Sequence, residues 1–176
     1  MVLSKTEYKE YIKADDEANG FCLWKHKFNI LRRYLRRLRH TEYLVNCKKS
    51  KLRIYLSKYM LNRISVKTGI TIGINCFGKG LYLPHYGYIV CNGTARFGDF
   101  CTVQCGVNIS ENVIGGNHIY LGTGAKIMKN VILPNDTIVG ANSVVTKQFE
   151  KENIVIAGIP GHIISESGFK SRINNI

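Results

Sequence analysis

The sequence predicts an all-β parallel β-helix, a triangular solenoid, that follows an α-helical N-terminal region. Branched aliphatic residues recur at every sixth position in the second half of the chain, at Leu121, Ile127, Leu133, Val139 and Val145. A six-residue apolar repeat is typical of coils built from three short strands, in which every sixth side chain points inward and stacks on its equivalent. The periodicity is helical before about position 66 and strand-like from Thr68 onward, and this change sets the order of the two parts.

The repeat has a less regular beginning and a clear end. The same six-residue phase occurs upstream at Phe97, Val103 and Ile109. Gly115 then interrupts the apolar series, and the glycine-punctuated aliphatic segment from Ile70 to Val90 predicts the first coils. After Val145 the phase is lost, which predicts a loop that leaves the last coil. We therefore divide the chain into an N-terminal helical region (1–66), a β-helix domain (67–164) and a C-terminal tail (165–176).

Two apolar stripes at helical spacing are predicted in the N-terminal region. The first stripe comprises Trp24, Phe28, Leu31, Leu35 and Leu38, at alternating intervals of four and three residues. The second comprises Leu52, Tyr55, Leu56, Tyr59 and Met60. We interpret both as faces that pack on the rest of the protein, beneath a solvated basic surface.

The formal charge of +13 is concentrated in the first half of the chain. Between Glu17 and Lys67, only Glu42 opposes a long series of lysines and arginines. The alternative to a solvated face is attraction to an anionic membrane surface or an anionic glycan carrier, through peripheral contact of the basic helices. No recognisable nucleic-acid-binding signature accompanies the charge, so we expect no nucleic-acid partner.

The composition bears on location and on metal binding. The polar segment from Met1 to Gly20 does not resemble a signal peptide, and no apolar run approaches the roughly 18 residues of a membrane span. We expect a cytoplasmic protein, with the inner face of the membrane as the alternative location. Without a C-x-x-C pair, free structural thiols and no metal site are favoured. The cysteines in the repeat region are Cys76, Cys91, Cys101 and Cys105.

His85 is the strongest candidate for chemistry among the five histidines. It lies in the segment from Leu83 to Tyr88, where proline, glycine and aromatic residues interrupt the coil pattern. We expect the imidazole to lie in a cleft between neighbouring subunits rather than inside a coil. A positioned histidine can take a proton from a hydroxyl as that hydroxyl attacks a carbonyl. A structural hydrogen-bonding role is the alternative.

Five ordered motifs in the repeat region carry a family resemblance. They are Gly80–Val90, Phe97–Val103, Leu121–Ile127, Val139–Val145 and Ala157–Pro160. Together they resemble the left-handed parallel β-helix (hexapeptide-repeat) acyltransferases, and specifically the serine acetyltransferase-like branch of polysaccharide-biosynthesis clusters. The resemblance implies a left-handed solenoid, acetyl-CoA as the acyl donor, a homotrimer, and active sites in the grooves between subunits.

The resemblance also assigns roles to individual residues. His85 falls on the family's catalytic histidine, and Thr123 and Ala141 fall on positions that contact the pantetheine arm of the cofactor. The positions near the nucleotide end of the cofactor are matched by Thr146, Lys147 and His162. A lysine and a histidine beside an exit loop can donate hydrogen bonds to phosphates.

Departures from the serine acetyltransferase pattern bear on the acceptor. Ile70 stands where the family has an aspartate that pairs with the catalytic histidine, and Pro84 stands where the preceding residue is acidic. The segment Ser110–Gly116 is shorter than the family's loop and lacks its arginine–histidine pair, which recognises the amino-acid acceptor. His118 lies nearby, but its distance from Leu121 places it in the following coil, and we rank it second.

We therefore predict an acetyl-CoA-dependent O-acetyltransferase that acts on a sugar hydroxyl of a surface-polysaccharide intermediate. His85 would be the general base in a direct transfer to a small-molecule or glycan acceptor, since a neutral hydroxyl needs no cationic partner. Serine O-acetylation is the alternative activity. A non-catalytic β-helix that serves as a scaffold or binding module is the alternative from another class, and a nucleic-acid or lipid-surface binder driven by the basic helices is a further one.

Overall fold

The computed structural model describes residues 1–22 and 25–170 of the chain. Within these residues, helices precede a series of short strands. The helices are α1 (Lys5–Ala18), α2 (Ile30–Asn46) and α3 (Lys51–Thr68). The strands are β1 (Ile70–Ile72), β2 (Ile89–Cys91), β3 (Arg96–Phe97), β4 (Thr102–Val103), β5 (Asn108–Ile109), β6 (Ile114–Gly115), β7 (Tyr120–Leu121), β8 (Lys126–Ile127), β9 (Ile132–Leu133), β10 (Ile138–Val139), β11 (Val144–Val145), β12 (Val155–Ala157) and β13 (His162–Ser165).

The strands form the three faces of a parallel β-solenoid. The first face runs in the order β1-β2-β5-β8-β11, the second β3-β6-β9 and the third β4-β7-β10-β12, with β13 added antiparallel to β12. Asn108 pairs with Lys126, and Lys126 in turn pairs with Val144, so that the register advances by one coil of three six-residue sides. The predicted fold class, a β-helix with an N-terminal helical region, is confirmed. The last of the three helices, α3, ends at Thr68. The division of the chain into regions at position 66 stays a prediction.

The sixth-residue positions form the core of the solenoid, as predicted. All five members of the repeat are buried: Leu121, Ile127, Leu133, Val139 and Val145. The corners between faces are turned by residues with left-handed backbone, a conformation that asparagine adopts more readily than most side chains. Examples are Asn112, Asn130 and Asn142. The inward side chains of the stacked coils form one continuous core.

Gly115 continues the repeat rather than breaking it. It pairs with Phe97 on the second face and occupies an inward, buried position. The Phe97 ring stacks on that of Phe77, with ring centres 4.8 Å apart, and fills the space that a side chain at position 115 would need. A Cβ atom on Gly115 would overlap the Phe97 ring. The interruption is therefore a packing complement, a large ring in one coil facing a missing side chain in the next.

We expect Gly115→Ala to lower the free energy of unfolding by about 1–3 kcal/mol, because the added methyl group overpacks the core against Phe97. Adding Phe97→Leu to this variant should recover part of the loss. Gly93→Ala is the matched control, since a Cβ there meets open space, and it should change stability by less than about 0.5 kcal/mol. Urea denaturation at one protein concentration provides the measurement. Equal losses at positions 115 and 93 would contradict the packing argument.

The first predicted apolar stripe is only partly correct. Leu31, Leu35 and Leu38 are buried in α2, whereas Phe28 is 84% exposed. Trp24 lies outside the described residues. The Asn29 side chain accepts hydrogen bonds from the backbone N–H groups of the first turn and caps α2. The helix therefore begins after Phe28, which cannot share its apolar face.

The prediction that the second stripe packs on the rest of the protein is wrong. Its members are 48–69% exposed: Leu52, Tyr55, Leu56, Tyr59 and Met60. The face of α3 that packs inward contains Ser57 and Thr68, with Leu61 and Ile64 against the core. Ser57 Oγ lies 2.8 Å from Thr41 Oγ1 of α2, so a small polar contact brings the two helices together. No described helix is both long and apolar enough to span a membrane.

The basic region is not a uniformly solvated surface, because Arg39 is completely buried. Its guanidinium group pairs with Asp15 of α1 at 2.8 Å and with Glu42 at 3.0 Å. It also donates hydrogen bonds to the carbonyl oxygens of Phe77 and Gly78 in the first coil. Burial opposes the charge, but the two carboxylates outweigh it and raise the pKa of Arg39. This network attaches the helices to the solenoid.

Candidate active site

One edge of the solenoid, the corner between the third and first faces, carries the residues of greatest chemical interest. Backbone hydrogen bonds stack its successive turns. The Gly106 amide donates to Tyr88, the Gly124 amide to Cys105 at 2.9 Å, and the Asn142 amide to Thr123 at 2.8 Å. We call this stack the His85 edge, comprising residues 84–88, 104–107, 122–125 and 140–143.

His85 lies in the first and least regular turn of the His85 edge. The turn ends where the Gly87 amide donates to the Thr68 carbonyl at 2.8 Å, with φ of 137° at Gly87, a conformation that favours glycine. The imidazole is exposed, and so are its neighbours Tyr86 (66%) and Tyr88 (61%). Within residues 1–22 and 25–170, no hydrogen-bond partner contacts the His85 ring. The single chain therefore presents this ring at the surface, beside two exposed aromatic side chains.

Thr123 and Ala141 lie on the same edge in later coils, and both are exposed. Since stacked strands are separated by about 4.8 Å, the three steps from the turn of His85 to the turn of Ala141 span about 14 Å. The intervening coil contributes Gln104, whose side-chain amide donates to Tyr120 Oη at 3.2 Å, and the half-buried Cys105. The edge is thus a straight, accessible track with an imidazole near one end.

The other three candidate residues do not lie on this edge. Thr146 and Lys147 are exposed at the exit of β11, at the next corner of the solenoid, and Lys147 Nζ lies 5.7 Å from the centre of the Phe149 ring. His162 is exposed on β13, and the turn before it rests on the last coil, with the Gly161 amide donating to Val144 at 2.7 Å. The structure brings these residues to the C-terminal end of the solenoid.

His118 has a partner that the sequence analysis missed. Its Nδ1 lies 3.0 Å from Asp136 Oδ1, and its ring stacks between Phe100 and Phe169 with centres 5.8 and 5.9 Å away. These rings line a cavity of about 420 Å³ at the corner between the second and third faces. Asp136 follows His118 by one full coil, so the eighteen-residue period was the signal that could have revealed the pair. The pair lies on a different edge from His85.

The buried Cys101 thiol of the solenoid is a poor candidate for the reactive group. Burial raises the pKa of the Cys101 thiol to about 12, which leaves it protonated and unreactive at neutral pH. Among the described residues, no group of three or more histidine, cysteine or acidic side chains is arranged to hold a metal ion. An exposed imidazole can accept a proton from a hydroxyl bound beside it.

The chain is similar to serine acetyltransferases in sequence and in backbone. It is 30% identical over 136 residues to the serine acetyltransferase of Staphylococcus epidermidis, a match that covers 72% of this chain and 63% of that protein. A serine acetyltransferase solved in complex with CoA matches with a TM-score of 0.76 and 24% identity, over 91% of this chain and 71% of that one. The Neisseria gonorrhoeae serine acetyltransferase in complex with serine matches with a TM-score of 0.74 and 21% identity, over 93% of this chain and 72% of that one.

The structural matches and the sequence match support different conclusions. The two structural matches are under 25% identical and establish the shared fold, a β-solenoid preceded by helices. The chain spans about 63% of the length of the Staphylococcus epidermidis relative. No family model matches the sequence. The polysaccharide-cluster branch named in the sequence analysis finds no support among these proteins.

Proposed function

We propose that this chain is a hexapeptide-repeat acyltransferase that transfers an acetyl group from acetyl-CoA to a hydroxyl group. One observation carries the proposal. His85, Thr123 and Ala141, far apart in sequence, lie on a single exposed edge of a fold shared with a serine acetyltransferase that was solved with CoA. A track of about 14 Å suits an extended thioester arm with its reactive end beside the imidazole.

In the proposed reaction, His85 is the general base and the transfer is direct. The imidazole takes the proton from the acceptor hydroxyl while that oxygen bonds to the thioester carbonyl carbon. Backbone N–H groups of the edge would stabilise the negative oxygen of the tetrahedral intermediate. The carbon–sulfur bond then breaks, and the imidazolium returns its proton to the departing thiolate. Acceptor and acetyl-CoA must therefore be bound together.

For the cofactor, we propose that Thr123 and Ala141 flank the pantetheine arm. Both are exposed on the His85 edge, so the arm can lie against their backbone. The nucleotide end would extend toward the C-terminal coils, where Thr146, Lys147 and His162 offer hydrogen-bond donors to phosphate. We further propose a homotrimer in which a neighbouring subunit covers Tyr86 and Tyr88 and so encloses His85. Light scattering checks this assembly, and a monomer at assay concentration would contradict it.

For the acceptor, the comparisons favour L-serine over the sugar hydroxyl that the sequence analysis preferred. The relatives are serine acetyltransferases, and one matching structure holds serine. We therefore propose serine O-acetylation as the leading activity. One observation keeps a sugar hydroxyl as the second candidate. The segment Ser110–Gly116 forms an ordinary corner and the strand β6 and contains no lysine, arginine or histidine to pair with the carboxylate of a free amino acid.

The acceptor is tested by measuring release of the CoA thiol from acetyl-CoA with L-serine and with a panel of sugars and nucleotide sugars. We expect turnover with L-serine at least about tenfold above every sugar, which corresponds to 1.4 kcal/mol of preference in the transition state. Turnover confined to a sugar would reverse the order of the two acceptors. Calorimetry with CoA is the control for the whole proposal, because a non-catalytic scaffold predicts no CoA binding.

A further inference from the structure

A cleft between the three N-terminal helices is large enough for a small-molecule ligand. Its volume is about 620 Å³, within the range of roughly 300–1,000 Å³ that ligand sites occupy. It is lined by Tyr8 of α1, by Ile30, Arg33, Arg36, Arg37 and His40 of α2, and by Met60, Arg63, Ile64 and Lys67 of α3. We call it the helical cleft. It lies in the helical region, outside the proposed acetyl-transfer site on the solenoid.

The lining of the helical cleft is strongly cationic. Five of its ten residues are lysine or arginine, and none is acidic. Asp16 pairs with Arg36 at 2.6 Å, but it also pairs with Arg32 at 2.9 Å. Within the described residues, Arg33, Arg37 and Lys67 form no ion pair. Because like charges held together oppose folding, their concentration in one concave site points to an anion that binds there.

One residue that lines the helical cleft, Arg36, has a buried donor without a partner. Nη2 of Arg36 is bonded to Asp16, but Nε of the same guanidinium group is buried and has no hydrogen-bond partner among the described residues. Leaving a buried N–H group unpaired costs free energy. Because Nε is closed to solvent, a ligand oxygen would reach it only if the Arg36 side chain turned toward the cleft.

The cleft also has an apolar side. Tyr8, Ile30, Met60 and Ile64 supply aromatic and aliphatic surface next to the cations. The Tyr8 ring stacks on Tyr43 with centres 5.3 Å apart, which holds it in place. A bare inorganic anion would leave this surface uncovered. The surface suits a ligand in which the anionic group is attached to a ring.

We propose that the helical cleft binds an organic diphosphate, with the phosphates on Arg33, Arg36 and Arg37 and an attached ring against Tyr8 and Met60. Planar guanidinium groups donate paired hydrogen bonds to phosphate oxygens, and this geometry makes arginine the preferred residue for such anions. A nucleoside diphosphate, free or as part of an activated sugar, has both the charge and the size required. The proposal does not depend on acetyl transfer, since binding is measured without turnover.

Calorimetry with uridine diphosphate, adenosine diphosphate and inorganic diphosphate tests the proposal on the full-length protein. We expect saturable binding of the nucleotides and weaker binding of inorganic diphosphate. The double variant Arg33→Gln/Arg37→Gln should bind the nucleotides about 100-fold more weakly, because two charge-assisted contacts are lost. The matched control, Lys51→Gln/Lys58→Gln, removes the same charge from exposed positions of α3 outside the cleft and should bind as the parent does. The pair Arg63→Gln/Lys67→Gln tests the opposite wall should the first variant fail to fold.

Four outcomes would overturn the proposal. The first is an absence of saturable nucleotide binding at millimolar concentration, and the second is equal weakening in the cleft and control variants. The third is binding only to phosphatidylglycerol vesicles, with none to soluble diphosphates, which would assign the charge to a membrane surface. Lys147→Gln separates this site from the proposed CoA site. It should leave nucleotide binding intact, and the fourth outcome, loss of binding in that variant alone, would place the ligand on the solenoid.

Discussion

Replacing His85 with alanine is expected to lower kcat for acetyl transfer by about 10²–10⁴-fold while leaving CoA binding within about twofold. The rate loss is the usual contribution of a general base. CoA affinity should persist because the proposed cofactor contacts lie in later coils, at Thr123 and Ala141. Initial rates of CoA thiol release give kcat, and calorimetry gives the affinity. The exposed position of His85 makes the variant conservative for folding, since no described contact of its ring is removed.

His118→Ala is the informative control for this prediction. Its imidazole lies on another edge of the same solenoid and bonds Asp136, so its removal should leave kcat within about twofold. The opposite pattern, with turnover lost at position 118 and retained at position 85, would move the proposed base to the cavity between Phe100 and Phe169. Loss in both variants together with loss of CoA binding would indicate damaged folding rather than catalysis.

The solenoid could be predicted from sequence because its rule is local. Each inward side chain, such as Leu121 or Ile127, stacks on its equivalents in neighbouring coils, so a period of six residues carries the fold by itself. The same logic extends to edges, since positions one coil apart stack. The eighteen-residue spacing of one full coil brings Thr123 and Ala141 together, and the same spacing would also have paired His118 with Asp136.

The helical region could not be predicted to the same depth, because its packing depends on contacts between residues distant in sequence. Helical spacing places Arg39 among other arginines on the polar side of α2, where a solvent-exposed residue is expected. Its burial depends on Asp15, twenty-four residues earlier, and on carbonyl groups of the first coil. In α3 the residue spacing indicates an apolar stripe, but it does not indicate whether another part of the chain packs on that stripe. Here the stripe is exposed. The helical cleft arises from the same cause, the approach of three helices.

The largest expected effect on stability follows from removing Arg39. We expect Arg39→Met to lower the free energy of unfolding by about 3–5 kcal/mol, the cost of breaking a buried ion pair by deleting one partner. Asp15 (2% exposed) and Glu42 (1% exposed) would remain buried without their cation. The carbonyl groups of Phe77 and Gly78 would also lose their donor. Urea denaturation at a fixed protomer concentration measures the change.

The charge itself is not the source of this stability, and a second pair of variants separates charge from connection. Arg53→Met removes an exposed arginine of α3 and should change the free energy of unfolding by less than about 0.5 kcal/mol. Asp15→Asn should also destabilise, since Asp15 accepts from both Arg39 and the Leu81 amide at 2.9 Å. Because Arg39→Met and Asp15→Asn break the same network, the cost of the double variant should fall well short of the sum of the two single costs. Additive costs would mean that Arg39 and Asp15 act independently, and that the helices are held on the first coil by other contacts.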